Sequence, residues 1–406
     1  MESPPPHPVA RLPEEWATAL SQRGERAFRA REVFRWIHAK GALDAHVMST
    51  LPKTLRDSLA TEGLGAQDAK GVGEVERIHR SDDGTRKLLV RMPDGAPIET
   101  VLIPGVSGPR AFGSPAEAAA LDADADAAAD EEDDEETDGS GHDKANAPKR
   151  RVTQCISTQV GCAMGCVFCA SGVAGLKRHL PAEQIVGQVI LGRALLDADE
   201  TLRNVVYMGM GEPLHNYEAT ARSLRLLTHP DGVAMSPRRI TVSTSGLVPE
   251  IARLGADFNG QINLAISLHA ADDATRGALM PINKKYPLAV LLDALRAYPL
   301  PKRRRITIEY TLVAGKNDEM GEAKRLARLL RGIPVKINLI PMNPIVGSSL
   351  GPPDFARVGD FQQVLCDAGY ACFVRRRRGD DVSAACGQLA LEGAKPKVRT
   401  HLRSVS

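Results

Sequence analysis

At 406 residues with 43% hydrophobic content, the chain is long enough for one large domain with appendages or for two to three ordinary domains. No window approaches the roughly 20 apolar residues that cross a bilayer, and the N-terminus lacks the charged and apolar regions of a signal peptide, so a soluble, cytoplasmic protein without a membrane partner is expected. The net charge of +2 conceals an asymmetry. Glu117 to Asp143 holds 13 acidic residues and no Lys or Arg, leaving 52 basic against 37 acidic residues elsewhere, a net of +15. Basic clusters at Lys149 to Arg151, Lys302 to Arg305 and Arg375 to Arg378 suit either phosphate attraction or an ordinary solvated face.

In chain order, Glu14 to Ala60 carries helical periodicity, with Phe28, Val33, Phe34, Trp36 and Ile37 as candidate core positions. Strand-like runs follow at Glu74 to His79, Lys87 to Val90 and Ile98 to Ile103, the first two separated by the turn-forming Ser81-Asp82-Asp83-Gly84. The Ala/Asp/Glu-rich stretch from Gly105 to Pro148 offers almost no large apolar residue and predicts a disordered insertion. Beyond it, strand-like runs recur at Val152 to Ser157, Asn204 to Met210, Arg239 to Ser245, Asn263 to His269, Ile306 to Val313, Lys336 to Pro341 and Ala371 to Arg375. Helix-like segments such as Ala182 to Leu196, Leu288 to Tyr298, Glu319 to Leu330 and Asp354 to Ala368 alternate with them. This pattern predicts an α/β fold with a parallel sheet, open or closed into a full or partial barrel, whose chemistry collects at the strand C-termini.

Seven cysteines are an odd count, and three crowd into eight residues, which fits a metal or redox site better than a secreted disulfide framework. Cys162, Cys166 and Cys169 form a C-x3-C-x2-C triplet just after a predicted strand. Three thiolates on one short loop suit a [4Fe-4S] cluster with an open iron, or structural zinc completed by Cys155 or His179. Taken singly, Gly211, His269 and Asn343 are ordinary turn or structural residues, and isolated free cysteines are usually small buried hydrophobes. Cys366 and Cys372 keep that reading.

With its aromatic residue before the last cysteine, the triplet resembles the radical S-adenosylmethionine (SAM) superfamily. The match narrows over Gln159 to Cys162, Met208 to Leu214, Ser243 to Gly246, Ser267 to His269, Pro281 to Tyr286, Lys336 to Pro341, Arg378 to Asp381 and Ala384 to Leu389. These segments, with Phe28 to Phe34 and Ile98 to Val101, resemble the RlmN/Cfr family of RNA adenine methyltransferases. Coverage runs from about Glu14 to Leu389 except the acidic stretch, which departs from the family's short connection.

The resemblance implies a radical SAM partial (β/α)6 barrel with an N-terminal helical plus β accessory domain. The expected division is an RNA-binding accessory domain at 1–104, the insertion at 105–148, the radical SAM core at 149–392 and a tail at 393–406. It further implies a [4Fe-4S] cluster on Cys162, Cys166 and Cys169, and a SAM site lined by Gly211, Glu212, Ser243, Ser267, Leu268, His269 and Asn343. In the family's scheme, Cys386 accepts a methyl group from one SAM, and a radical formed from a second activates it for addition to the electron-poor adenine ring. Cys155 then frees the RNA by forming a disulfide with Cys386, while Glu99 takes the ring proton.

The implied substrate is C2 of adenine in 23S ribosomal RNA, with transfer RNA as a candidate second substrate and a separate reducing electron donor as partner. A monomer is expected. Phe168 to Gly172 leading to Gly175-Leu176-Lys177 somewhat resembles the C8 branch instead. Rivals from other classes are a zinc-stabilised, non-catalytic RNA-binding protein and an iron-sulfur electron carrier; neither gives a role to Cys155, Cys386 or the SAM-site series.

Overall fold

The structure is a computed structural model that describes residues 5–65, 71–105, 149–345, 348–375 and 378–389. The expected disordered insertion and the C-terminal tail therefore fall outside the described residues, apart from Gly105.

One ten-stranded sheet organises the fold. Its strands are β1 (Glu74–Arg80), β2 (Arg86–Arg91), β3 (Pro97–Pro104), β4 (Arg150–Cys155), β7 (Glu200–Tyr207), β8 (Ile240–Thr244), β9 (Asn263–Ser267), β10 (Ile306–Leu312), β11 (Val335–Pro341) and β12 (Ala371–Val374). Two short strands, β5 (Gln159–Val160) and β6 (Arg178–His179), pair separately beside it. From β4 through β7 to β12 every pairing is parallel, whereas β1 to β4 are joined antiparallel. The α/β architecture with a parallel sheet expected from the sequence is thus present, and the parallel part counts seven strands, with β12 at the far edge. Crossover helices make the parallel order possible, since parallel neighbours cannot be joined by tight turns.

Strand β10 is buried along its whole length, as a central strand covered on both faces must be, and it carries Glu309 into the interior. Around it, Leu264, Ile266, Ile308, Leu312, Ile337 and Leu339 form part of one continuous apolar core. Each fully buried side chain of this size contributes about 1.5 to 3 kcal/mol relative to exposure.

The β-meander is an edge of the main sheet, not a separate sheet. Val101 of β3 lies opposite Cys155 of β4, and Gln154 of β4 donates through its amide to the Thr100 hydroxyl at 3.2 Å. The N-terminal helices Pro13–Ser21 and Phe28–His38 dock on the core through Trp16, Leu20, Phe34 and Ile37. Arg193 caps the second of them, donating to the His38 and Ala39 carbonyls at 2.7 and 2.9 Å. Arg222 pairs with Glu15 at 2.8 Å. Of the expected core positions, Val33, Phe34 and Ile37 are buried and Trp36 is half-buried. Phe28 is 54% exposed, because it opens its helix away from the packed face and its ring lies under the Arg29 guanidinium. No helix among the described residues is long and apolar enough to cross a membrane.

Candidate active site

The three-cysteine loop springs from β5, immediately beyond the C-terminal end of β4. Gly161 turns the chain there with φ of 77°, and a Cβ at that position would stand 1.9 Å from the Gly175 carbonyl oxygen, so only glycine lets the two loop ends meet. Further along, the Val167 N–H donates to the Leu279 carbonyl at 3.1 Å and the Cys169 N–H to the Cys166 carbonyl at 3.3 Å. Phe168, the aromatic residue before the last cysteine, lies edge-on against the His269 ring at 4.7 Å.

Burial pushes all three loop thiols upward, Cys162 to about 12. Repulsion adds to burial at Cys166, from both Cys169 and Cys162, and Cys162 in turn feels Cys169. Glu212 acts electrostatically on both Cys162 and Cys166, and Arg276 on Cys166. Among the described residues, no group of three His, Cys, Asp or Glu side chains is arranged to hold a single metal ion. A cubane is gripped by thiolates on separate irons, so its ligands stand farther apart than those of mononuclear zinc. The suggested fourth zinc ligands are engaged elsewhere: Cys155 lies in the core beside Cys386, and His179 shares the Gln159 amide with His215.

The expected SAM-site residues occupy consecutive strand ends. Gly211 follows β7 with φ of 107°, and a Cβ there would stand 2.6 Å from that of Gln159. Next to it, Glu212 is buried and accepts from the Ser245 N–H at 2.7 Å, the Ser245 hydroxyl at 2.8 Å and the Leu214 N–H at 3.1 Å. Desolvation raises its pKa, opposed by those donors. Ser243 and Ser267 are half-buried on β8 and β9, and Leu268 is fully buried. His269 adopts φ of 58°, a strained conformation for a non-glycine residue. Burial drives its pKa down to about 3, so the imidazole is neutral. Because Nδ1 accepts from the Thr311 N–H at 2.8 Å, the ring proton resides on Nε2.

Asn343, just beyond β11, supplies the test of fit for a small polar ligand. Its Nδ2 donates to the Cys386 carbonyl at 2.9 Å, but its Oδ1 is buried without a partner among the described contacts. Buried acceptors are rarely left unmatched, so this atom suits a ligand that brings a donor.

Cys386 sits on a loop held from several sides. The Ala170 N–H donates to the Gly387 carbonyl at 2.8 Å, the Ser171 hydroxyl to the Leu389 carbonyl at 2.6 Å and the Gln388 amide to the Pro344 carbonyl at 3.2 Å. The residue keeps solvent-exposed area, yet desolvation lifts its thiol, with Arg375 opposing and Glu309 and Cys169 adding to the rise. Burial and then repulsion from Cys386 lift Cys155 beyond the ordinary thiol range. The Ala170–Gly387 hydrogen bond sets the loop of the expected carrier against the three-cysteine loop, and the Cys386 thiol couples electrostatically to those of Cys155 and Cys169. All seven cysteines are free thiols; no disulfide joins Cys155 to Cys386 in this state. Glu99 stands to one side on β3, its carboxylate paired with Lys87 at 2.8 Å.

Arg276 escaped the sequence reading. Fully buried, it donates to the Leu268 carbonyl at 3.1 Å, the Ser245 carbonyl at 2.7 Å and Asn283 Oδ1 at 2.9 Å, tying three of the quoted segments together. Burial lowers its pKa to about 10. The only clue in the sequence is its place between the segments it joins.

The reading of Cys366 as a buried hydrophobe is also corrected. Cys372 is buried on β12, but Cys366 is exposed at the end of helix Phe355–Asp367, and a hydrogen bond from Cys372 stabilises its thiolate, bringing it to about 7. Cys366 should therefore be the fastest thiol to alkylate, with a rate that rises as pH increases through about 7 and levels off above it. Peptide mapping after brief iodoacetamide treatment checks this; a Cys372→Ala variant should move the midpoint upward.

The radical SAM superfamily profile matches residues 156–327, and that of the ribosomal RNA large subunit methyltransferase N-terminal domain matches residues 14–63. A dual-specificity RNA methyltransferase RlmN from Sorangium cellulosum is 72% identical over 402 residues, covering 99% of this chain and all of that one. Its counterpart from Geobacter sulfurreducens is 42% identical, covering 94% and 92% of the two chains. The crystal structure of a radical SAM methyltransferase from Sphaerobacter thermophilus superposes with a TM-score of 0.78 at 40% identity, covering 94% of this chain and 98% of that one. With Cys162, Cys166 and Cys169 free on one short loop, it follows that the chain belongs to the RlmN family of radical SAM RNA methyltransferases, enzymes that use a [4Fe-4S] cluster and SAM.

Proposed function

We propose that the enzyme methylates C2 of adenine in 23S ribosomal RNA and in transfer RNA, through Cys386 as methyl carrier and Cys155 as releasing thiol. The observation that carries this reading is the seating of the Cys386 loop on the three-cysteine loop through the Ala170–Gly387 hydrogen bond, with the Cys386 thiol coupled electrostatically to Cys155 and Cys169. A SAM enzyme that merely cleaved its cofactor has no need of two thiols beyond the cluster loop. Direct displacement onto an electron-poor ring carbon is closed, so a sulfur relay answers a chemical need. When bound, the cluster and SAM supply the methyl group and the radical, at Cys162, Cys166 and Cys169 and along Gly211, Glu212, Ser243, Ser267, Leu268, His269 and Asn343.

The chain's own residues would do the rest. Arg375 beside Cys386 favours the thiolate that accepts the methyl group. Attack of Cys155 on the Cys386 sulfur would form the S–S bond as the S–CH2 bond to the RNA breaks; the methylene carbon keeps the bonding pair and takes up a proton from solvent to become the methyl group, while Glu99 receives the ring proton. An external reductant then restores both thiols before another turnover. Residues 1–104, including the matched segment 14–63, would serve as the accessory RNA grip, and 149–392 as the catalytic core.

The dual specificity named for the Sorangium and Geobacter relatives supports two RNA substrates, and the extent of those matches favours C2 over C8. Mass spectrometry of nucleosides from ribosomal and transfer RNA of a deletion strain tests this. We expect 2-methyladenosine to vanish from both RNAs and to return on complementation. Loss of 8-methyladenosine would move the enzyme to the C8 branch, and unchanged RNA would overturn the proposal.

A further inference from the structure

The loop that carries Cys386 is clasped by the β1–β2 hairpin, some 300 residues earlier in the chain. Ser81 Oγ donates to Asp381 Oδ1 at 2.5 Å, the Asp82 N–H to Asp381 Oδ2 at 3.3 Å, and the Gly379 N–H to Asp83 Oδ2 at 3.1 Å. Gly379 packs so tightly on Thr85 that a Cβ there would meet the Thr85 methyl at 3.0 Å. Two stretches that mean little separately, Ser81-Asp82-Asp83-Gly84 and Arg378-Gly379-Asp380-Asp381, thus form one joint.

Lys87 lies behind that joint on β2. Its ammonium reaches Glu99 Oε1 at 2.8 Å and the Ser383 carbonyl at 3.4 Å, with the lysine side chain 11% and the glutamate side chain 5% exposed. A lysine held this deep loses side-chain freedom and water, and both partners belong to the reaction machinery: β3 carries Glu99, and Ser383 stands three residues before Cys386. We propose that Lys87 is a positioning residue that aligns the Glu99 carboxylate with the Cys386 loop, so that the proton acceptor and the methyl carrier keep a fixed relation through release of the RNA. The inference rests on the proposed roles of Glu99 and Cys386.

Geometry separates the two duties. The loop is also held by Ser81, Asp82, Asp83, Asn343, Gln388 and Ala170, so removing Lys87 leaves it anchored. The Glu99 carboxylate loses its buried ammonium partner, one of the contacts that set its direction. Glu99 acts only when the RNA is released, so the defect should fall on release and spare formation of the adduct.

Single-turnover experiments with reconstituted holoenzyme, pre-methylated on Cys386 and mixed with RNA, test this by following adduct formation and release separately. For Lys87→Met we expect adduct formation within about twofold of native and release slowed by at least about tenfold, since general bases typically contribute 10²–10⁴-fold. Lys87→Arg, which retains the positive charge, should restore release to within about threefold. Iodoacetamide labelling of unmethylated Cys386 in the same holoenzyme should stay within about twofold in Lys87→Met, showing the loop in place. Equal losses in adduct formation and release, native release, failure of the arginine variant, or a large rise in Cys386 labelling would each overturn the proposal. Glu99→Gln separates it from its premise: native release in that variant removes Glu99 from the reaction whatever Lys87 does.

Discussion

Cys155→Ala is expected to leave the enzyme joined to its RNA. The alanine variant keeps Cys386, the cluster loop and the SAM-site residues, so a methyl group can still be carried and added to the adenine ring. No thiol remains to attack the Cys386 sulfur, and turnover should fall by at least about 100-fold while a covalent species accumulates. The substitution removes one buried sulfur from the core opposite Val101, at a cost of about 1 kcal/mol, and should leave the fold intact. A denaturing gel should show a protein band shifted by nuclease-sensitive RNA. Neither Cys386→Ala nor the double variant should show it, because without the Cys386 thiolate there is nothing to methylate or to join. Normal turnover by Cys155→Ala, or an adduct that persists without Cys386, would sink the relay.

The second large effect concerns the loop. Alanine at Cys162, Cys166 or Cys169 should reduce iron from about four atoms per chain to a small residue and abolish methylation, since a cubane held by three thiolates is not retained by two. The fold should survive, because none of these side chains belongs to the continuous apolar core, whereas Cys155 does. Iron analysis and an anaerobic visible spectrum read the first effect, and thermal melting of the cofactor-free protein reads the second. Stoichiometric zinc in the native protein, or full activity in any of the three variants, would refute the assignment.

The strand and helix order was legible in the sequence because parallel strands buried on both faces must be almost uniformly apolar and their crossover helices must be amphipathic. Ile306–Leu312 and Val335–Pro341 fall almost where their apolar runs predict, and so do helices Ala182–Ala194 and Phe355–Asp367. The cysteine triplet was legible too, since ligands on one short loop are local in sequence. Phe28 was misplaced because periodicity identifies a face but not where the packed part of a helix begins.

What the sequence by itself determined is the list of chemical parts: three loop thiols, two further cysteines, the glycine and carboxylate after β7 and the histidine after β9. Their proximity was decided only by the tertiary structure. Cys155 at the end of β4 feels the Cys386 thiol on the terminal loop, and no local pattern encodes an interaction across 231 residues. Lys87 and Arg276 were invisible for the same reason: a charged residue gives no sign in sequence of being buried, and its partners come from separate strands and loops. Likewise, Cys366 and Cys372 look alike in sequence, but one ends a helix in solvent and the other lies in a buried strand, and the hydrogen bond between them stabilises the Cys366 thiolate while that bond and burial keep the Cys372 thiol protonated.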